Sequence, residues 1–336
     1  MMMQRSGIQD GNSSVEQSTL AIEAHGLVKV FGDNRAVDGV DLSIPSGCIY
    51  ALLGPNGAGK TTIINILNTL LKPDGGNAKV FGHDVVHEAQ VVRQLISLTG
   101  QSAAVDERLS ASENLTIFAL LLGLSRSEAS KRTAELLEEF GLAGAAKRTL
   151  EKYSGGMRRK LDLASSLIVQ APLIFLDEPT TGLDPRTRIQ MWESIRRLVS
   201  SGSTILLTTQ YLDEADQLAD RIAVIDHGRV VAEGTPRELK AAVGKATLHL
   251  QLADEKDTAE AIRITQTVLN VKASTSEPTL VTAQMADPEL VTDLLVSLRE
   301  AKIHLVTVSV QEPTLDEVFL ALTGDGKQAE KGATMP

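Results

Sequence analysis

Apolar positions along the chain follow two periods in turn. Strand-like spacing of β-branched and apolar residues runs over Leu20 to Phe31 and Ala36 to Ile44, and Pro45-Ser46-Gly47 then turns the chain into a short buried strand, Ile49 to Leu53. A Gly-rich loop follows, then a helical pattern over Lys60 to Leu71, stopped by Pro73, Gly75 and Gly76. Strand, glycine loop and helix in that order is the plan of a phosphate-binding unit. From Ser110 to about Thr149 the pattern is helical, with Ser127 as N-cap, Leu136, Leu137 and Phe140 on one face, and Gly141 as the stop. Leu173 to Leu176 and Thr204 to Thr208 are short apolar runs between helical segments, the alternation expected of a parallel α/β sheet. Ile222 to Ile225, Asp226-His227-Gly228 and Arg229 to Ala232 read as a hairpin, and the first domain closes near Lys240.

Beyond Lys240 the alternation restarts. Strand Thr247 to Leu252, helix Asp257 to Val268, strands Leu269 to Ala273 and Leu280 to Ala283, helix Pro288 to Lys302 and strand Ile303 to Val310 give βαββαβ, the ferredoxin-like split unit. A last helix, Pro313 to Leu322, carries Leu315, Val318, Phe319 and Leu322 at i, i+3, i+4 and i+7; it is expected either to expose an apolar docking face or to close its own domain's core. The organisation expected is a flexible arm at 1–19 and an α/β domain at 20–240 with a helical subdomain inserted at about 103–165. A small α+β domain for assembly follows at 245–323, with a flexible tail at 324–336.

Composition narrows the class. At 336 residues, with 43% apolar and 23% charged positions, the chain is globular and long enough for two domains. A net charge of −10 and an aromatic share of 3% argue against nucleic acid as a partner, since backbone neutralisation and base stacking both lack material. The lone Cys48 excludes an intrachain disulfide and fits core packing in a reducing compartment. The longest nearly uncharged apolar run, Leu115 to Leu124, is half of the roughly 20 residues that cross a bilayer, so no direct membrane span is expected. The polar N-terminus reads as an arm rather than a signal peptide. His83-Asp84-Val85-Val86-His87 echoes zinc-ligand spacing but reads as a surface loop, and Arg158-Arg159-Lys160 reads as a solvated or phosphate-proximal basic run.

Three motifs carry chemistry. Gly54-Pro55-Asn56-Gly57-Ala58-Gly59-Lys60-Thr61, followed by Thr62, is a P-loop in its required strand-to-helix context. Its glycines let backbone N–H groups turn toward phosphate oxygens, Lys60 reaches the β- and γ-phosphates, and Thr61 offers a hydroxyl to Mg²⁺. Leu173-Ile174-Phe175-Leu176-Asp177-Glu178 runs apolar residues into two carboxylates at a strand end, with Asp177 to hold Mg²⁺ and Glu178 to polarise the attacking water. Tyr153-Ser154-Gly155-Gly156-Met157 opens a helical run from Arg158 to Val169, a second anion-binding helix start.

In this order, over about Leu20 to Lys240, the motifs resemble those of the ATP-binding subunits of ABC transporters, whose signature reads LSGGQ; Tyr153 and Met157 depart from it while Ser154-Gly155-Gly156 match. The resemblance implies a P-loop ABC ATPase domain of the α/β class, with a mixed sheet, an N-terminal β subdomain and an inserted helical subdomain. It implies Phe31 against adenine, Gln101 at the Mg²⁺ and water site as the link to the membrane partner, and Asp184 in the D-loop. Where most of the family has a switch His, Leu207-Thr208-Thr209 is followed by Gln210, which can hydrogen-bond a γ-phosphate but cannot titrate. A narrower likeness carries over three stretches, Thr208 to Asp216, Arg221 to Arg229 and Pro313 to Leu322. There the chain looks like the daunorubicin/doxorubicin-resistance type of ATPase subunit from actinobacterial drug exporters.

That likeness implies ATP and Mg²⁺, and a homodimer in which each ATP lies between one chain's P-loop and the other chain's Ser154-Gly155-Gly156. It also implies a multi-span membrane permease as partner, a place at the cytoplasmic face of the plasma membrane through that permease, and export of a drug or antibiotic-like amphipathic molecule chosen by the permease. The alternatives are a lipid or polyketide exporter, and an ABC-type ATPase acting on ribosomes or DNA. The last usually carries tandem cassettes or a long coiled coil, and here only residues 62–152 separate the P-loop from the signature.

Overall fold

The computed structural model describes residues 20–99, 105–169, 171–244, 246–285 and 289–324. Two long strands, β1 (Leu20–Phe31) and β2 (Asn34–Pro45), pair antiparallel, and β3 (Ile49–Leu53) then feeds the P-loop and α1 (Lys60–Leu67). Strands β4 (Gly75–Val80) and β5 (His83–Asp84) return to β1 and complete a first sheet of order β2-β1-β4-β5.

The chain continues through α2 (Ala89–Leu95), β6 (Ile96–Thr99), α3 (Ala111–Leu121), α4 (Arg126–Glu139), α5 (Gly155–Ser166), β7 (Leu173–Asp177) and α6 (Pro185–Ser200). Next come β8 (Thr204–Thr209), α7 (Leu212–Leu218), β9 (Arg221–Asp226), β10 (Arg229–Gly234) and α8 (Pro236–Val243). These build a second sheet of order β10-β9-β3-β8-β7-β6, parallel except for the β9–β10 hairpin. Strands β3, β7 and β8 are buried at every position, which accounts for the apolar runs Ile49–Leu53, Leu173–Leu176 and Ile205–Leu207 within them. Cys48 packs at the rim of this core, and burial pushes its thiol up to about 11, away from thiolate chemistry.

The C-terminal segment forms a third, wholly antiparallel sheet from β11 (Thr247–Leu252), β12 (Ala273–Glu277), β13 (Leu280–Gln284) and β14 (Leu305–Gln311). Helices α9 (Thr258–Leu269) and α10 (Leu290–Glu300) are its crossovers, and the order β12-β13-β11-β14 is the ferredoxin-like arrangement expected of βαββαβ.

Several local boundaries differ from the sequence reading. Helix α1 stops at Leu67 because Asn68 leaves helical geometry and Thr69 turns left-handed at φ 67°. The segment from Ser110 is two α-helices with short 3-10 turns, and its second N-cap is Ser125, not Ser127. Ser125 Oγ accepts the Glu128 N–H at 3.3 Å while Glu128 Oε2 accepts the Ser125 N–H at 2.9 Å, a reciprocal cap that Ser127, with Ser130 three residues on, cannot form. Leu269 closes α9 rather than opening a strand, because Asn270 caps that helix in left-handed geometry at φ 52° and the strand starts at Ala273. Ile303 packs in the C-terminal core ahead of β14.

The last helix, α11 (Leu315–Gly324), packs on the first domain and not on the C-terminal sheet's own core. Leu315 and Val318 are 3% and 2% exposed and join the apolar core that holds Leu218 of α7 and Leu239 of α8, with Phe319 packed against it. Leu322 stays at the surface, 39% exposed, so the helix buries Leu315, Val318 and Phe319 instead of offering all four residues as a docking face, and the core it closes belongs to the first domain. Leu315→Ala is expected to destabilise that domain by about 2–5 kcal/mol through lost burial and a cavity. The check is chemical denaturation read by Trp192, the single tryptophan, which packs on the same core. An unchanged Trp192 transition would contradict this packing.

Candidate functional site

Ligands of parallel α/β sheets gather at the C-terminal ends of the strands, and here β3, β8 and β7 are neighbours that each end in a chemically active residue set. The P-loop leaves β3 in backbone conformations that suit glycine: Gly57 and Gly59 have φ of 84° and 106°, and a Cβ on Gly59 would lie 2.2 Å from the Ala36 carbonyl oxygen. Lys60 is 5% exposed, and its Nζ donates to the carbonyl oxygens of Gly54 at 2.7 Å and Pro55 at 2.9 Å. Burial lowers the ammonium's pKa, and the carboxylates of Glu178 and Asp177 oppose that shift.

Strand β7 delivers Asp177, 4% exposed, whose Oδ1 accepts from Thr208 Oγ1 at 2.5 Å and faces Thr61 Oγ1 at 3.3 Å. Thr208 Oγ1 also accepts the Glu178 N–H at 3.0 Å, and Thr181 Oγ1 donates to Glu178 Oε2 at 3.0 Å. Glu178 has left-handed φ of 49°, a conformation that a non-glycine residue keeps only where its surroundings hold it. Phe31, 49% exposed at the end of β1, lines with Gly57, Lys60, Thr61, Thr62 and Glu178 a cavity of about 360 Å³. A hydroxyl and a carboxylate converging beside the phosphate loop are hard oxygen donors. Among the described residues no group of three or more His, Cys, Asp or Glu could hold a metal ion. Two protein oxygens, with phosphate and water supplying the remainder, is the donor set that suits Mg²⁺.

The signature opens α5. Ser154 is its N-cap, with Oγ accepting the Met157 N–H at 3.3 Å, and the position a Cβ of Gly155 would occupy has nothing within 4 Å. Both departures from the signature have structural partners: Tyr153 is 5% exposed and donates its hydroxyl to the Ala145 carbonyl at 2.9 Å, and Met157 packs against the main core. Gly155 also lines, with Asn56, Glu178 and Gly182, a second cavity of about 550 Å³. Asp184 caps α6, accepting the Thr187 N–H at 3.0 Å and the Thr187 hydroxyl at 2.7 Å, bonds that hold its carboxyl below the usual range. Gln210 is half-buried directly after β8, and Gln101 lies outside the described residues.

Two further site residues carry no local mark in the sequence. Thr208 bridges both carboxylate residues, and Glu214, 1% exposed on α7, accepts Thr180 Oγ1 at 2.8 Å and Trp192 Nε1 at 3.2 Å. Their partners lie about 30 residues away in the chain, and Asp213-Glu214 reads locally as an ordinary acidic first turn.

A family profile described as ABC transporter matches residues 37–181, and one described as ATP-binding protein DrrA1-3-like, C-terminal domain, matches residues 234–323. The chain is 54% identical over 321 residues to the daunorubicin/doxorubicin resistance ATP-binding protein DrrA of Streptomyces peucetius, covering 94% of this chain and 97% of that one. It is 35% identical over 305 residues to the linearmycin resistance ATP-binding protein LnrL of Bacillus subtilis, covering 90% and 98%. A solved structure of an ATP binding subunit of an ABC transporter superposes with a TM-score of 0.60 at 28% identity, over 66% of this chain and 92% of that one.

Desolvation raises the Glu214 carboxyl above its model-compound value of 4.5 despite three side-chain hydrogen bonds. Between 4.5 and the raised folded-state pKa the folded chain binds more protons than the unfolded one, so Glu214 makes stability fall as pH rises through that window. Glu214→Gln should remove this contribution. Urea midpoints of wild type and variant should diverge in slope above pH 4.5, the wild type falling faster; parallel profiles would show that Glu214 titrates alike in both states.

Proposed function

Because the chain belongs to the ATP-binding proteins of ABC transporters, a family of ATPases, we propose that it powers export of a drug or antibiotic-like amphipathic molecule through a separate multi-span permease. The observation that carries this reading is the extent of the likeness: 54% identity to a drug-resistance ATP-binding protein continues beyond the ATPase domain into the C-terminal domain, matched over 234–323. Among the described residues no helix is long and apolar enough to cross a membrane, so a permease at the cytoplasmic face would supply the attachment.

In this mechanism the P-loop amides and the N-terminus of α1 hold the phosphates, Lys60 neutralises the β- and γ-phosphates, and Phe31 stacks on adenine. Thr61 and Asp177, with Gln101, would hold Mg²⁺, which when bound offsets charge on the phosphate oxygens. Glu178 takes the proton of the attacking water, its carboxylate oriented by Thr181, and Gln210 positions the γ-phosphate through its amide without exchanging protons. One chain carries one P-loop and one signature, so two complete sites require two chains, with Ser154-Gly155-Gly156 and the Asp184 loop of each facing the nucleotide of the other. The open space around Gly155 at the start of α5 supports that approach. Ile117, Leu120 and Leu121, exposed on one face of α3 and following the Gln101 segment in sequence, support a permease contact there.

Glu178→Gln in the assembled transporter should cut ATP turnover at least about 100-fold by removing the base. Nucleotide affinity should stay within about threefold, since Lys60 and the loop amides are untouched. Export should fall with turnover, and the ATP-loaded variant should elute as a dimer. Wild-type turnover would remove Glu178 from its role, and a monomer under ATP would contradict the two-chain site.

A further inference from the structure

The basic run Arg158-Arg159-Lys160 is not a uniform solvated face. Arg158 meets Glu107 at 2.6 Å and Lys160 meets Gln190 at 2.6 Å, whereas Arg159, its side chain 14% exposed, points inward to the turn that follows β7. Its Nε donates to the Pro179 carbonyl at 3.1 Å, and one terminal nitrogen donates to the carbonyls of Asp177 at 2.9 Å and Glu178 at 3.1 Å. The other terminal nitrogen faces the buried Asp162 carboxylate at 3.4 Å. Three successive carbonyls are thus gathered by one planar fork, a geometry that a guanidinium satisfies and an ammonium does not.

The middle one of those carbonyls belongs to Glu178, the residue with left-handed backbone. Thr208 holds its N–H and Arg159 holds its C=O, so the strained residue is fixed on both sides. Arg159 also lies on α5, five residues after Ser154.

We propose that Arg159 is a positioning residue: it sets the direction of the Glu178 side chain and ties that residue to the signature helix of the same chain, so that each chain's own carboxylate and the signature it offers to a second chain move as one unit. The second half rests on the two-chain reading above. A displacement on the order of 1 Å at a reacting group costs about 100-fold in rate, so a tether at this point has leverage over turnover.

The test uses the full-length chain with its permease. Arg159→Ala should lower kcat for ATP by roughly 10- to 100-fold while nucleotide affinity, measured by fluorescent ATP, changes less than about threefold. Arg159→Lys, which keeps the charge and one prong, should fall between and melt within a few degrees of wild type. If Arg159 acts through Glu178, Arg159→Ala should change the residual rate less than about threefold in a Glu178→Gln background, the non-additivity expected of a shared pathway. In that background hydrolysis is slowed at least about 100-fold, so dimer trapping reads the signature directly: Arg159→Ala should raise the ATP concentration for half-maximal dimerisation severalfold.

Wild-type kcat in Arg159→Ala, additive losses, or a parallel loss of nucleotide binding and melting temperature in both Arg159 variants would overturn the positioning role. Unchanged trapping would overturn the tie to the signature. Absence of any dimer in Glu178→Gln alone would count against the two-chain reading itself, and the kcat and affinity measurements would still decide the role of Arg159.

Discussion

The site depends on one carboxylate oxygen. Asp177 Oδ1, at the end of β7, accepts from Thr208 on β8 and faces Thr61 on the helix that follows β3, so it draws together the C-terminal ends of three adjacent parallel strands. A carboxylate that is 4% exposed must be hydrogen-bonded to be tolerated, and the hydroxyls of Thr208 and Thr61 are two such partners. Thr208 carries more than its own bond, because the same oxygen receives the Glu178 N–H and so couples the direction of the second carboxylate to the placement of the first. The start of α1, the end of β7 and the end of β8 are therefore one hydrogen-bonded object. The Gln210 position follows β8 within two residues of that node.

What could be read from the sequence was what the chemistry itself constrains. A P-loop needs glycines, Lys60 and Thr61 at fixed spacing, so its strand-loop-helix context followed directly, as did the parallel sheet from its uninterrupted apolar runs and the split βαββαβ unit. Boundaries set by local competition were harder. Ser125 and Ser127 are both good caps in isolation, and only the Glu three residues after Ser125 decides between them. The apolar spacing of α11 says that one of its faces is buried, but periodicity carries no information about which surface buries it. Thr208, Glu214 and Arg159 act through partners about 20–30 residues away, and no local pattern marks them.

The C-terminal domain gains a physical role from α11. By seating Leu315 and Val318 in the core beside α7 and α8, the end of the chain reaches back past the ferredoxin-like sheet and becomes part of the ATPase domain. Helix α7 follows Gln210 after Tyr211 and carries Glu214, which in turn holds Thr180 in the loop after the acidic strand. Packing of the last helix and geometry at the carboxylates are thus two ends of one contiguous set of contacts.

Whether metal and nucleotide converge on Asp177 is read from the Mg²⁺ dependence of ATP affinity. Calorimetric titrations of wild type and Asp177→Asn, each with Mg²⁺ and with a chelator, separate the metal-dependent increment from phosphate binding by the loop. Asp177→Asn should bind metal-free ATP within about threefold of wild type but lose about 10- to 100-fold of the affinity that Mg²⁺ adds. A variant that keeps the full Mg²⁺ increment would contradict that convergence.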